Sequence, residues 1–299
     1  MDVSAEQPKT DFTSVVYATD FSPSAENAGV YARLLASQLK AAFFVAHSFR
    51  RSQAAIEVEL DHKVDSQQRK DLQVIVARKA ASLSTESLTA IPALIDGDAD
   101  HVIAEFADKH APALIVLGTH GGARVVRRFI GSVAEAILRS TQWPCLTIGP
   151  HVPTLAATAT KLELRRILCV TDCTVGSVRA VAYARSLAKT LGAEMNFLNI
   201  VPDKELGSKD RLDALRNEFH DALDKALPID PDRVTQPQTF VAAGNAHDRI
   251  LEHIKTHGID LLVLGKHAAS QIGQDRQTAE AFQIIVDAPC PVLTTPEQR

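Results

Sequence analysis

Residues 118–132 read GTHGGARVVRRFIGS. Gly118, Gly121, Gly122 and Gly131 punctuate the stretch, Ser132 closes it, and Arg124, Arg127 and Arg128 lie between. Glycine lets backbone N–H groups approach an anion with no Cβ in the way. Arginine raises the local positive potential and offers donors to phosphate oxygens. A helix opening at Gly131-Ser132 would add free N–H groups and the positive end of its dipole. Ser132 would then be a hydroxyl donor or the helix cap. The chemistry implied is phosphate binding. The spacing is neither GxxxxGK[ST] nor GxGxxG. A glycine-rich turn with solvated arginines uses the same residues, so the reading turns on where the chain places them.

The surrounding elements place them at a strand end. ALIVLG, at 113–118, is a continuous apolar run, and a helix is expected over about 131–140. Upstream, 14–19 is a short β-branched run, and 24–39 carries Ala28, Tyr31, Ala32, Leu35 and Leu39 at helical spacing. AFFVAHS at 42–48 reads as a buried strand, 59–83 as a long amphipathic helix, 88–95 as a strand and 99–110 as a helix. PCLTIG closes the series. Apolar strands alternating with helices predict a parallel sheet covered on both faces, a doubly wound α/β fold. Ligands of such sheets bind beyond the carboxyl ends of the strands, where GTHGGARVVRRFIGS begins.

The chain is written twice. GDADHVIAEFADKHAPALIVLGTHG from Gly97 matches GNAHDRILEHIKTHGIDLLVLGKHA from Gly244, an offset of 147. SVVYATDFS matches RILCVTDCT at an offset of 152, which aligns Asp20 with Asp172. Residues 1–150 are therefore one domain, 164–299 a second, and the Pro- and Thr-containing stretch 151–163 a linker. The second copy lacks the phosphate-binding features. Gly118 persists as Gly265, but Gly121 becomes Ala268, Gly131 becomes Thr278 and Ser132 becomes Ala279. Arg124, Arg127 and Arg128 become Gln271, Gln274 and Asp275. Thr278 could still cap a helix, so the connection survives without the chemistry, and Asp275 would repel a phosphate.

The spacing Gly118-x2-Gly121-x9-Gly131-Ser132, with ATDFSPSAENAGVYARLLA, GDADHVIAEFA and WPCLTI, resembles the nucleotide-binding signature of the universal stress protein family. The resemblance covers nearly the whole chain as two tandem copies. It implies two Rossmann-like (HUP) domains, each with a five-stranded parallel sheet flanked by helices. It also implies ATP as the ligand of the first copy, with Mg²⁺ held mainly by the phosphates. Ala18, Thr19 and Asp20 at the first strand end would meet the ribose or adenosine edge, and the backbone of Val45 would meet adenine. Leu117, Gly118, His120, Gly121, Arg124, Arg128, Gly131, Ser132 and Val133 would surround ribose and phosphates. It further implies pairing of the two halves through their last strands, near 144–149 and 291–295, and a homodimer of tandem chains as a further assembly.

The remaining features limit the function classes. The net charge of −4 in 299 residues gives no overall attraction to nucleic acid. No apolar run approaches the ~20 residues of a membrane span, and MDVSAEQPKTDF has no signal-peptide pattern, so a cytoplasmic protein is expected. Cys145, Cys169, Cys173 and Cys290 fit no zinc pattern and are expected reduced. Cys169 and Cys173 flank Asp172, and His253 and His257 have the i,i+4 spacing of a metal pair. Against a redox pair stand strand packing for Cys169 and a strand-end place for Cys173, and against a metal pair a solvated helix face beside Glu252 and Lys255. No catalytic base and no metal-ligand set emerge. The expected function is thus an ATP-binding regulatory module of a stress response. The alternatives are a slow ATP hydrolase or ATP-using enzyme, and an interaction scaffold independent of ATP.

Overall fold

The computed structural model describes residues 11–50, 59–119, 130–203, 209–226, 237–265 and 276–296. Contacts divide the chain into two compact units. One comprises Phe12–Leu162 with Ile285–Pro291, and the other holds Glu163–Ile284 and the chain from Val292.

The first unit alternates strand and helix as its apolar runs predict. Its elements are β1 (Ser14–Ala18), α1 (Pro23–Leu39), β2 (Ala42–Phe49), α2 (Glu59–Leu83), β3 (Ala90–Asp96), α3 (Ala99–Lys109), β4 (Ala113–Gly118), α4 (Ser132–Ser140) and β5 (Cys145–Ile148). The strands are parallel, in the order β3-β2-β1-β4-β5. Ala18 pairs with Ala46 of β2 and with Leu117 of β4. Val15, Val16, Phe43, Val45, Ile115 and Val116 are wholly enclosed. That burial explains why these runs are apolar throughout rather than alternating. Helix α1 starts where Ser22 caps it, its side chain accepting from Ala25 N, with Pro23 next in line. The hydroxyl of buried Tyr17 donates to the Ala25 carbonyl at 2.6 Å and locks the start of α1 over β1.

Residues 153–162 lie along α1. Asn27 Nδ2 and Tyr31 Oη donate to Pro153 O, and Asn27 Oδ1 accepts from Leu155 N. Gln38 Oε1 accepts from Leu162 N. Arg33, only 7% exposed, donates from Nη2 to Ala157 O at 3.0 Å and Ala159 O at 2.7 Å. These contacts all go to backbone, so α1 holds the path of the segment rather than its sequence. Arg33→Leu removes both donors and leaves two carbonyls short of a partner. We expect a loss of about 2–3 kcal/mol for hydrogen bonds from a charged donor. Faster proteolytic cleavage within 153–162 is the measurement.

The second unit repeats the plan with β6 (Arg166–Val170), α5 (Val175–Leu191), β7 (Glu194–Val201), α6 (Lys209–Ala226), β8 (Gln238–Ala243), α7 (Ala246–His257), β9 (Leu261–Gly265), α8 (Arg276–Asp287) and β10 (Val292–Thr295). Its order is β8-β7-β6-β9-β10, again parallel. Val170 pairs with Leu198 and Leu264, as Ala18 pairs with Ala46 and Leu117. The two copies therefore share one register. Among the described residues, no helix is long and apolar enough to cross a membrane.

Candidate functional site

In the first unit the chain leaves β1 toward β2 on one side and leaves β4 toward β5 on the other. The crevice beyond the carboxyl ends of β1 and β4 is thus the switch point of the sheet, where doubly wound folds bind ligands. Two contacts bring the flanking segments together there. A Cβ on Gly118 would stand 2.9 Å from the backbone C and O of Ser24, so β4 abuts the start of α1 and only glycine fits. Thr119, fully buried, accepts Gly131 N on its carbonyl at 2.6 Å, which joins the end of β4 to the start of α4.

Helix α4 begins with Gly131 as its N-cap, at φ −64 and ψ 143, with no side-chain cap. The first intrahelical bond runs from Glu135 N to Gly131 O. The N–H groups of Ser132, Val133 and Ala134 precede that bond, so the helix supplies them no acceptor. Ser132 is the first helical residue rather than the cap, with an exposed side chain. Val133 is 51% exposed. The result is an open, positively polarised helix end at the switch point.

At the end of β1, the turn is built by side chains. Thr19 Oγ1 accepts from Phe21 N and gives its own hydroxyl hydrogen to Tyr17 Oη, both at 3.0 Å. Asp20 Oδ1 accepts from Ser22 N at 2.9 Å. Phe21 is forced to φ 61. Asp20 is exposed.

The structure brings together Ala18, Thr19, Asp20, Leu117, Gly118, Gly131, Ser132 and Val133. His120, Gly121, Arg124 and Arg128 lie outside the described residues. Val45 does not reach the strand ends. It is fully buried within β2, in register with Tyr17 on one side and Pro92 on the other. Past the Ala18–Ala46 pair, β2 continues through half-buried His47 and Ser48 to buried Phe49. Sequence reasoning missed two residues here. His47 Nδ1 lies 2.7 Å from Thr19 O, and its ring packs on Phe21 with centroids 4.6 Å apart at 40°. The signal was the shift from apolar to polar at "HS", which marks where the strand emerges from the core.

The second unit repeats the turn. Thr171 Oγ1 accepts from Cys173 N, Asp172 Oδ1 accepts from Thr174 N, and Cys173 sits at φ 59. Thr174 Oγ1 also donates to Asp172 Oδ1 at 2.7 Å. Burial works to raise the Asp172 carboxyl, but hydrogen bonds from Thr174 and Ser177 outweigh it and hold the group below its ordinary value. Helix α8 begins at Arg276, three residues earlier than the 147 offset from Ser132 requires. Thr278 is therefore inside the helix, not at its cap. The amides open in the first unit are internal here.

Two further sequence candidates resolve. Burial pushes the Cys169 thiol well above its ordinary value and the Cys173 thiol to about 11, so neither is a thiolate near neutrality. His253 is not on a solvated face. It is 8% exposed and stacks on His257 at 3.9 Å and 19°. Among the described residues there is no group of three or more His, Cys, Asp or Glu poised for a metal ion.

Fold and site together define a tandem doubly wound α/β protein whose two switch points differ in chemistry. The model of the universal stress protein family matches residues 11–149 and again 163–296, and the chain belongs to that family. Universal stress protein C of Salmonella typhimurium is 26% identical over 140 residues, which cover 45% of this chain and 97% of that protein. The crystal structure of a universal stress protein from Archaeoglobus fulgidus superposes with a TM-score of 0.63 at 16% identity, covering 95% of this chain and 96% of that one. A functionally unknown protein from Pseudomonas aeruginosa gives 0.57 at 15% identity, covering 96% and 94%. At these identities the structural likeness speaks for the fold alone.

Proposed function

We propose that the first unit binds ATP at the β1/β4 switch point, and that the nucleotide is a regulatory ligand of a stress-response module. The observation that carries this reading is the open start of α4, tied through Thr119 to the end of β4, whose Leu117 is in register with Ala18 just before the Asp20 turn. The amides of Ser132, Val133 and Ala134, with the Ser132 hydroxyl, suit phosphate oxygens. Asp20 spends one oxygen on Ser22 N and has the other for ribose hydroxyls. His120, Gly121, Arg124 and Arg128 complete the phosphate side by the family resemblance. Mg²⁺ would be held mainly by the phosphates. The second unit, with its carboxylate satisfied locally and its helix extended, is silent in this reading.

Mass spectrometry of ligand released from gently purified protein should show ATP, and calorimetry should give one ATP per chain. Two sites of comparable affinity would overturn the assignment to the first unit. Rapid multiple turnover with added metal would favour an ATP-using enzyme instead.

A further inference from the structure

We propose that His47 reads an exocyclic amino group of the bound base and makes the first unit select adenine over 6-oxopurine nucleotides. The inference rests on the proposed nucleotide site and names which part of the ligand it discriminates. The sheet order fixes the direction in which a nucleotide would lie. Phosphates at α4 stand over β4, and Asp20 takes the ribose over β1. The base then falls over the next strand, β2, one strand spacing (~4.8 Å) further along. The residue that β2 offers there is His47, one position beyond the Ala18–Ala46 pair.

The hydrogen bond of His47 fixes what it can recognise. Its Nδ1 lies 2.7 Å from the Thr19 carbonyl, which can only accept. Nδ1 therefore carries the proton, and in the neutral ring Nε2 presents a lone pair. A lone pair accepts from an amino group and repels a carbonyl oxygen. The 6-amino group of adenine satisfies it, and the 6-oxo group of hypoxanthine or guanine does not. The ring cannot easily turn away, because it packs on Phe21, whose backbone is held at φ 61 by Thr19 Oγ1.

The second unit separates this pair from the needs of the fold. It keeps the same turn, with Cys173 at φ 59 and the same Thr171 and Asp172 bonds. At the matching positions it has Cys173 for Phe21 and Asn199 for His47. The turn thus forms without an aromatic pair. His47 and Phe21 occur in the copy that also carries the open helix start, and they are absent where that feature is absent.

Calorimetry with ATP and ITP tests the inference on the full chain and on His47→Phe, which keeps a ring against Phe21. The wild-type protein should bind ATP at least ~10-fold more tightly than ITP, since a site built to pair a polar group rejects the analogue that lacks it. His47→Phe should lower ATP affinity to that of ITP and leave ITP within about 2-fold, which also shows that the variant is folded. His47→Gln, which retains an acceptor, should recover part of the preference. Equal wild-type affinities for ATP and ITP, or an undiminished preference in His47→Phe, would overturn the role of His47 while leaving the nucleotide site intact. Binding of neither nucleotide would overturn the site as well.

Discussion

Gly131→Asp should abolish ATP binding and leave the first unit at least as stable as the wild type. The two effects have opposite signs because one backbone position serves two purposes. Gly131 is the N-cap of α4 at φ −64 and ψ 143, a conformation open to any residue, so an aspartate adopts it without backbone strain. Aspartate is a better cap than glycine by a few tenths of a kcal/mol. Its charge beside the helix start adds about 0.3–1 kcal/mol. The same carboxylate would accept the first-turn amides in place of the phosphates and would stand against their charge. Two unit charges at ~4 Å interact by about 4 kcal/mol at an effective dielectric near 20. A loss of at least ~100-fold in ATP affinity is therefore expected. Calorimetry reads the affinity, and thermal denaturation reads the cap. A variant that binds ATP within about 3-fold of wild type would show that α4 does not hold the phosphates. A variant that loses binding only because it is unfolded would contradict the capping argument.

The alternation of apolar strands and helices was legible in the sequence because each strand is enclosed on both faces, so hydrophobicity alone marks it. The position of the glycine-rich stretch at a strand end followed directly. Register was not legible. AFFVAHS announces a strand, but nothing in it says which residue draws level with Ala18. That pairing depends on β1 and β3, which come from elsewhere in the chain. The resemblance put the backbone of Val45 at adenine, and the register sets Val45 level with Tyr17, with His47 and Ser48 beyond the Ala18–Ala46 pair. The segment after β5 was read as a linker from its prolines and small residues, yet α1 side chains hold its backbone. Such contacts carry no compositional signal. Thr278 shows the reverse limit. Its alignment with Gly131 is correct in sequence, but α8 starts earlier, so equivalent residues do not occupy equivalent places on their helices.

His253 should make the second unit acid-sensitive. Sequence reasoning put it on a solvated face because Glu252 and Lys255 surround it. The helix turns it inward instead, against Phe240 at 4.5 Å and His257 at 3.9 Å, with Nε2 buried and without a hydrogen-bond partner. Burial, and secondarily the neighbouring His257, lowers its pKa from 6.5 to about 4. The unfolded chain binds the proton first. No protonation penalty therefore applies above pH ~6.5, and stability falls as the pH drops from there toward 4. At 1.36 kcal/mol per unit, the loss reaches about 3 kcal/mol. His253→Phe should remove this dependence and relieve the orphaned nitrogen, for a gain near neutrality of about 1 kcal/mol. The first unit already contains the exchange: Phe106 occupies the matching position and packs on His110 at 4.4 Å, with Phe44 beside both. Denaturant titrations of wild type and His253→Phe at pH 7.5, 6.0 and 4.5 should diverge steadily as the pH falls. Parallel curves would mean that His253 is hydrated or repositioned before it is protonated, and that the stacked pair is not the acid-labile point of the fold.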